Sequence, residues 1–169
     1  MVRAIILCAT FLAPHAIAEN RHAGAHVHGV NHVKLVLSDS SLQISYEFPV
    51  VQLAKHDEHK HDELAEQLEE IKSITTLVAI PDAADCSQSD IRQELRAVAS
   101  TGSDEAHADH QDVIIEAVLT CQNPSALNTM DFSPAFNHFD DVEKIEVEGI
   151  LGAQPISETL MARKAVISF

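Results

Sequence analysis

The sequence HVKLVLSDSSLQISYEF, residues 32–48, contains two stretches of alternating apolar and polar side chains on either side of a short turn. Val33, Leu35 and Leu37 precede the turn at residues 38–41, and the alternation resumes at Leu42. A period of two is typical of strands that have one buried and one solvated face. The stretch therefore predicts a β-hairpin, and Pro49 is expected to end its second strand.

The pattern changes further along the chain. Between Lys60 and Leu77 the apolar residues recur at helical spacing, and acidic residues stand near the start of the segment. Because acidic side chains favour a helix N-terminus, residues 60–77 are predicted to form one amphipathic helix. The second half returns to strand patterns, which are expected at residues 91–99, 113–121, around 145–148 and at 164–169. The expected fold is an α+β single domain: an antiparallel β-sheet with one main amphipathic helix and one disulfide.

The N-terminus has the three regions of a secretory signal peptide. Arg3 gives a positive start, residues 4–12 are uncharged and apolar, and Ala16-Ile17-Ala18 is a small-residue cleavage pattern. The apolar run is shorter than the roughly 20 residues that a membrane span needs. We therefore expect export to the periplasm, cleavage after Ala18, no membrane anchor and a domain over residues 19–169.

The two cysteines beyond this segment have two chemical interpretations. Cys86 and Cys121 favour one structural disulfide, because exported proteins meet oxidising conditions. The alternative is a pair of thiolate metal ligands, although the spacing is not that of a close Cys-x-x-Cys pair.

Histidine and acid dominate the composition. The 169-residue chain has 11 histidines, as many as lysine and arginine together, and 26 acidic residues give a net charge of −15. Removing residues 1–18 takes away Arg3 and leaves −16. Such acidity argues against nucleic acid as a partner, since it lacks a basic binding surface.

The histidines fall into clusters, each close to carboxylates. Neutral imidazole binds Zn²⁺, Cu²⁺ or Ni²⁺, and carboxylates complete the coordination or orient the ring. We therefore predict a metal-binding function for three clusters, and a structural or solvated role for the isolated His138. The candidate ligands are His26, His28 and His32 near the N-terminus, His56, His59 and His61 before the predicted helix, and His107 and His110 before the strand at 113–121.

Within the N-terminal cluster, His26 and His28 would project to the same side of an extended chain. His32 has the same parity, provided that Gly29 does not bend the path. His56 and His59 share a three-residue spacing with His107 and His110, which suits one ion if the chain turns helically.

Catalysis is not expected, because the sequence contains no His-Glu-x-x-His helix, Gly-x-Ser-x-Gly elbow or glycine-rich phosphate loop. Capture of zinc is the leading interpretation of the metal-binding clusters. The alternatives are a periplasmic buffer or chaperone for copper or nickel, a secreted zinc hydrolase, and a structural module with incidental histidines. The scarcity of methionine argues against a Cu(I) specialist.

The ordered motifs resemble the ZrgA-type periplasmic zinc-binding proteins, which are accessory to zinc-uptake ABC transporters of Gram-negative bacteria. The matching elements are His26-Val27-His28-Gly29 before the hairpin, the strand ending at Pro49, Ala83-Ala84-Asp85-Cys86, the strand ending at Cys121, Phe132, Phe136 and Phe139 before residues 142–150, and Gly152-Ala153-Gln154.

This resemblance implies metal contact at His26 and His28, a disulfide between Cys86 and Cys121, and zinc supplied to an ABC transporter. The sequence departs from the family where a Gly-Phe-Glu-His stretch normally follows the hairpin. Here residues 53–56 read Leu-Ala-Lys-His, so His56 or His59 takes that place. The acidic loop before the strand at 113–121, where relatives often carry many histidines, has only His107 and His110.

Overall fold

The structure is a computed structural model that describes residues 29–53, 67–97, 111–139 and 141–169. Strands account for most of these residues. Six strands form the main sheet, and two short strands form a separate ribbon. The main-sheet strands are β1 (Val30–Ser38), β2 (Ser41–Pro49), β3 (Cys86–Ala97), β4 (Gln111–Cys121), β6 (Lys144–Leu151) and β7 (Gln154–Leu160), and the ribbon consists of β5 (Thr129–Asp131) and β8 (Val166–Ser168).

The main sheet has the order β3-β4-β2-β1-β6-β7. β1 and β6 run parallel, with Val33 opposite Val147, and every other pair of neighbouring strands is antiparallel. The predicted hairpin is confirmed as β1 and β2, which are joined by a turn in which Asp39 has a φ of 53°.

One face of the sheet carries the core. Side chains such as Leu35, Ile44 and Ile115 are buried there, and the segments outside the sheet pack over them, contributing Leu77 and Phe132 to the same cluster. The opposite face is polar and mainly exposed, which is the outcome that the period-two pattern predicts.

The predicted fold class is wrong, because the protein is mostly β-sheet. Of the predicted helix over residues 60–77, residues 60–66 lie outside the described residues, and only 67–70 of the remainder are α-helical. The chain then bends, and Ile74–Thr76 form a short 3-10 helix capped by the Ser73 side chain. The other α-helix in the described ranges is α1, Ser133–His138.

The helix prediction failed because Ile71 and Ile74 reach the core from a short irregular segment. The side chain of Gln93 donates to the carbonyl oxygens of Leu68 and Ile71, and the side chain of Gln88 accepts from the backbone N–H of Ile74. These bonds satisfy backbone groups that a continuing helix would have satisfied internally. Apolar residues at helical spacing are therefore buried here without a long helix.

The disulfide prediction is confirmed. Cys86 and Cys121 are bonded and lie directly opposite each other, joining the start of β3 to the end of β4. This pairing excludes the alternative in which the two thiolates bind a metal. The bridge instead fastens an edge strand to its only neighbour in the described sheet.

Replacing Cys86 and Cys121 together by alanine is expected to lower the free energy of unfolding by about 3 to 4 kcal/mol, because the bridge closes a loop of roughly 35 residues in the unfolded chain. Urea denaturation of the variant and the oxidised protein measures the loss. Reduction of the unaltered protein should produce a similar loss. Equal stability of all three samples would show that the bridge does not constrain the unfolded chain in this way.

Candidate metal-binding site

Several strand boundaries meet at one end of the main sheet. Val30 at the start of β1 lies opposite Lys144 at the start of β6. Pro49 at the end of β2 lies opposite Asp112, and Ala97 at the end of β3 lies opposite Gln111. We call the end of the sheet formed by these residues the histidine end. The disulfide lies at the opposite end, where β3 begins and β4 finishes.

All three predicted histidine clusters connect to the histidine end through the chain. Seven of their ligands lie outside the described residues: His26, His28, His56, His59, His61, His107 and His110. Covalent geometry nevertheless limits their distance from it. His110 immediately precedes Gln111, so their Cα atoms are about 3.8 Å apart, and the Cα of His28 lies within about 7 Å of that of Val30. His56 follows Leu53 by three residues, so its Cα lies within about 11 Å of the Cα of Leu53.

His32 is the predicted ligand that the structure describes. It lies on the polar face of β1 with its side chain about half exposed, and its Nδ1 is 3.4 Å from Oε2 of Glu146. A carboxylate beside one imidazole nitrogen orients the ring and favours the tautomer in which the other nitrogen can bind a metal. His32 and Glu146 therefore form a histidine–carboxylate pair suited to metal binding.

Register places further carboxylates in line with His32. Glu47 is directly opposite His32 on β2, and Glu94 is opposite Ile114, which is itself opposite Glu47. Together with Glu146, these side chains form a row across the polar face near the histidine end. A row of carboxylates beside an imidazole attracts divalent cations.

Gly29 turns the chain just before β1. Its φ is +80°, and its carbonyl oxygen accepts hydrogen bonds from the backbone N–H groups of Glu143 and Lys144. A Cβ at this position would lie 2.7 Å from Cγ of Glu143, so the close approach needs glycine. The alternation of β1 therefore does not continue through Gly29, so the straight path on which the expected parity of His32 depended is absent; His26 and His28 lie outside the described residues. The turn brings this part of the chain beside Glu143.

A buried carboxyl lies at the same end. Asp112 is 4% exposed, and burial raises its pKa to about 7, with the neighbouring charge of Glu47 and a hydrogen bond to Glu47 acting in the same direction. Arg96 opposes this rise and is 3.8 Å from Glu47. Two carboxyl groups and a guanidinium thus meet beside the segment that ends at His110.

Replacing Asp112 by asparagine is expected to reduce the pH dependence of stability. The folded pKa of about 7 exceeds the ordinary value of 3.8, so the stabilisation that Asp112 contributes is complete below about pH 4 and is lost as pH rises through 7. The variant should therefore be more stable than the unaltered protein by about 2 kcal/mol at pH 8, with little difference at pH 4.

Urea denaturation at several pH values measures this difference. Asp82→Asn, which alters an exposed carboxylate, is the matched control and should leave the pH profile unchanged. A destabilised Asp112→Asn variant at pH 8 would contradict the sign of this prediction.

His138 has a packing role at this end of the sheet. It is the last residue of α1, and its ring lies edge-on to that of Phe139 with centroids 4.8 Å apart. Phe139 in turn packs against Phe48, near the end of β2, at 4.7 Å. This contact agrees with the structural role expected of the isolated His138, and it places His138 at the histidine end.

Within the described ranges, no group of three or more His, Cys, Asp or Glu side chains is arranged to hold a metal ion. The described residues therefore contain no complete coordination shell. Sequence reasoning missed Glu146 and Glu47 as neighbours of His32, because their proximity depends on strand register. The only signal was that both occupy polar positions of alternating strands.

None of the helices in the described part of the chain has the length and apolar character that a membrane span requires. A comparison with curated proteins finds no match.

The fold and the site together define a β protein whose histidine-bearing segments connect to one carboxylate-rich end of its sheet. The sequence model of a family described as "ZrgA family zinc uptake protein" matches residues 25–169. The chain belongs to this family.

Proposed function

We propose that the protein is exported to the periplasm, captures Zn²⁺ at the histidine end and supplies it to a zinc-uptake ABC transporter. The observation that carries this proposal is that three histidine-bearing segments join the sheet at the same end, where His32 and Glu146 already form an imidazole–carboxylate pair. Membership of a zinc uptake family supports zinc as the cargo.

The ligand chemistry suits zinc as a cargo that must be bound and later released. Imidazole and carboxylate are ordinary zinc ligands, and both exchange more readily than a closed tetrathiolate site would. The segments that carry most of the histidines continue directly into, or follow closely after, strands of the main sheet. A metal could thus be bound by residues from more than one segment.

Charge assists the capture step. The net charge of −15 gives the whole molecule an attractive field for cations, and Glu47, Glu94 and Glu146 concentrate negative charge on the polar face near His32. Lys144 and Arg96 offset part of this charge and lie beside Glu146 and Glu47. Such a field raises the local concentration of divalent cations and their association rate.

Metal binding by the purified, untagged protein tests the proposed function. The protein is stripped with a chelator, dialysed, and titrated separately with Zn²⁺, Cu²⁺ and Ni²⁺, and bound metal is measured after removal of free ions. We expect tight zinc uptake. Failure to bind zinc would contradict the proposal, and a marked preference for copper or nickel under zinc competition would favour a buffer or chaperone for those metals.

Zinc affinity is expected to fall steeply between about pH 7 and 5. Free histidine titrates near pH 6.5, and a protonated imidazole cannot bind metal, so protons compete with zinc throughout this range. Competition titrations at several pH values, corrected for the indicator's own proton affinity, measure the effect. Constant affinity over this window would exclude histidine as the main ligand.

A further inference from the structure

The edge strand β3 exposes an unusually regular surface. It pairs with β4 on one side, and no other described strand pairs with its second side. All residues from Arg92 to Ala97 are exposed, including Leu95 at 45%, although Leu95 points towards the face of the sheet that carries the core. As far as the described residues go, half of one apolar side chain and a row of backbone groups are thus available to a partner.

Two β3 strands placed antiparallel, with Gln93 of one copy opposite Gln93 of the other, have complementary side chains. Charges on the polar face meet opposite charges, and the two apolar side chains meet each other on the core face. The pairs are Asp90 with Arg96, Ile91 with Leu95, Arg92 with Glu94, and Gln93 with its own copy. Cross-strand pairs of these kinds stabilise antiparallel sheets.

We propose that two copies of the protein pair through β3 in antiparallel orientation, with the twofold axis at Gln93. The two six-stranded sheets would then join into one continuous sheet. The backbone groups on the open side of β3 provide the hydrogen bonds, and the charge pattern fixes the register, since a shift by two residues would bring like charges together. The apolar surface of Leu95 becomes covered by Ile91 of the second copy.

Charged residues on an edge strand usually prevent such pairing, as does the bulge between Gln88 and Asp90. Here, however, the two signs alternate and sum to zero over residues 90–97, in a chain whose net charge is −15. Two β3 edges therefore do not repel each other, although the two molecules are acidic as a whole. The opposite edge strand, β7, lacks this property, because Pro155 cannot donate a backbone hydrogen bond and Glu158 is the only charged residue of the strand.

The arginines already have partners within the chain, which does not prevent the new pairs. Nη2 of Arg92 is 3.2 Å from Oε2 of Glu116, and Nη1 of Arg96 is 3.8 Å from Oε2 of Glu47. A guanidinium has five N–H donors, so it can contact carboxylates on both sides. Glu94 forms no ion pair among the described residues in the free chain, and Arg92 of the second copy would provide one.

This arrangement does not require zinc. An antiparallel pair of β3 strands directs the two histidine ends away from each other, so each copy keeps its own metal-binding end. The dimer should therefore form in the presence of a chelator, which separates it from association through metal bridges between histidines.

Sedimentation equilibrium of the chelated protein over a wide concentration range tests the proposal. We expect a reversible dimer. Glu94→Arg should weaken it by about tenfold, because two like-charge contacts replace two favourable ones, and adding Arg92→Glu in the same chain should restore it. Glu158→Arg and Arg163→Glu, which make the same charge changes away from β3, should leave association unchanged.

A cross-linking measurement tests the position of the axis. Gln93→Cys also removes the hydrogen bonds that Gln93 donates to Leu68 and Ile71, so its urea denaturation is measured first. The folded variant is expected to form an intermolecular disulfide under mild oxidation, because the two substituted positions face each other across the axis. Arg92→Cys is the matched control, since its copies lie too far apart to bridge. A monomer at all concentrations, a dimer insensitive to Glu94→Arg, or equal cross-linking of the two cysteine variants would each overturn the proposal.

Discussion

Replacing His26 and His28 together by alanine is expected to lower zinc affinity by at least about 100-fold. Removing a single residue that only supports a metal ligand often costs 10- to 100-fold, and this variant removes two predicted ligands. Both lie within four residues of Val30, where β1 begins at the histidine end. Competition titration against a zinc-binding indicator at pH 7.5 measures the loss.

Replacing His107 and His110 together by alanine provides the comparison. Their connection also joins the histidine end, but we expect a smaller loss because the family resemblance assigns metal contact to His26 and His28. His138→Ala is the control outside the three segments and should bind zinc normally. Equal losses from the two double variants would show that the ranking of the segments is wrong.

Replacing Phe48 by alanine is expected to lower the free energy of unfolding by about 3 to 5 kcal/mol, the usual range for a buried aromatic side chain. Phe48 is completely buried and contacts the rings of Tyr46 and Phe139. The cavity would lie between the end of β2 and the helix α1. Urea denaturation measures the loss of stability.

Two controls accompany this variant. Phe48→Leu keeps most of the volume and should cost less than half as much. Val36→Ala removes apolar atoms from a strand position that is 43% exposed, so its effect should stay within about 0.5 kcal/mol. A Phe48→Ala loss no larger than that of Val36→Ala would contradict the packing described for this end of the sheet.

The parts of the fold that the sequence predicts are those with a local signal. The hairpin at residues 32–48 has strict alternation and a turn of small polar residues, and the structure has both strands and the turn. The alternation ending at Cys121 is equally regular, and β4 follows it. Two cysteines in a chain that is expected to be exported predict the disulfide without knowledge of the fold.

Features that depend on distant residues could not be predicted. The parallel pairing of β1 with β6 joins residues more than 100 positions apart, and no local pattern encodes it. Residues 71–77 carry apolar side chains at helical spacing, but Gln88, which accepts from the backbone N–H of Ile74, and Gln93, which donates to the carbonyl oxygen of Ile71, hold this part of the chain in another conformation. Every residue of the second half of β3 is exposed, so its apolar period is weak.

The candidate site shows the same division. Residue type and clustering predict histidines as ligands, because imidazole beside carboxylate has a specific chemistry. The attachment of all three histidine-bearing segments to one end of the sheet follows from strand order, which the sequence does not reveal. The contact between His32 and Glu146 depends on the β1–β6 pairing, and the rise in the pKa of Asp112 depends on burial beside Glu47.

The location of bound zinc is the most direct test of the central claim, that zinc binds at the histidine end. Backbone amide signals of ¹⁵N-labelled protein are followed by NMR during a zinc titration. We predict that shifts concentrate at His32, Asp112 and Glu146, while signals at Ser41 and Gly152, at the opposite end of the sheet, stay in place. Zinc-dependent shifts centred on that opposite end, or none at either end, would contradict the claim.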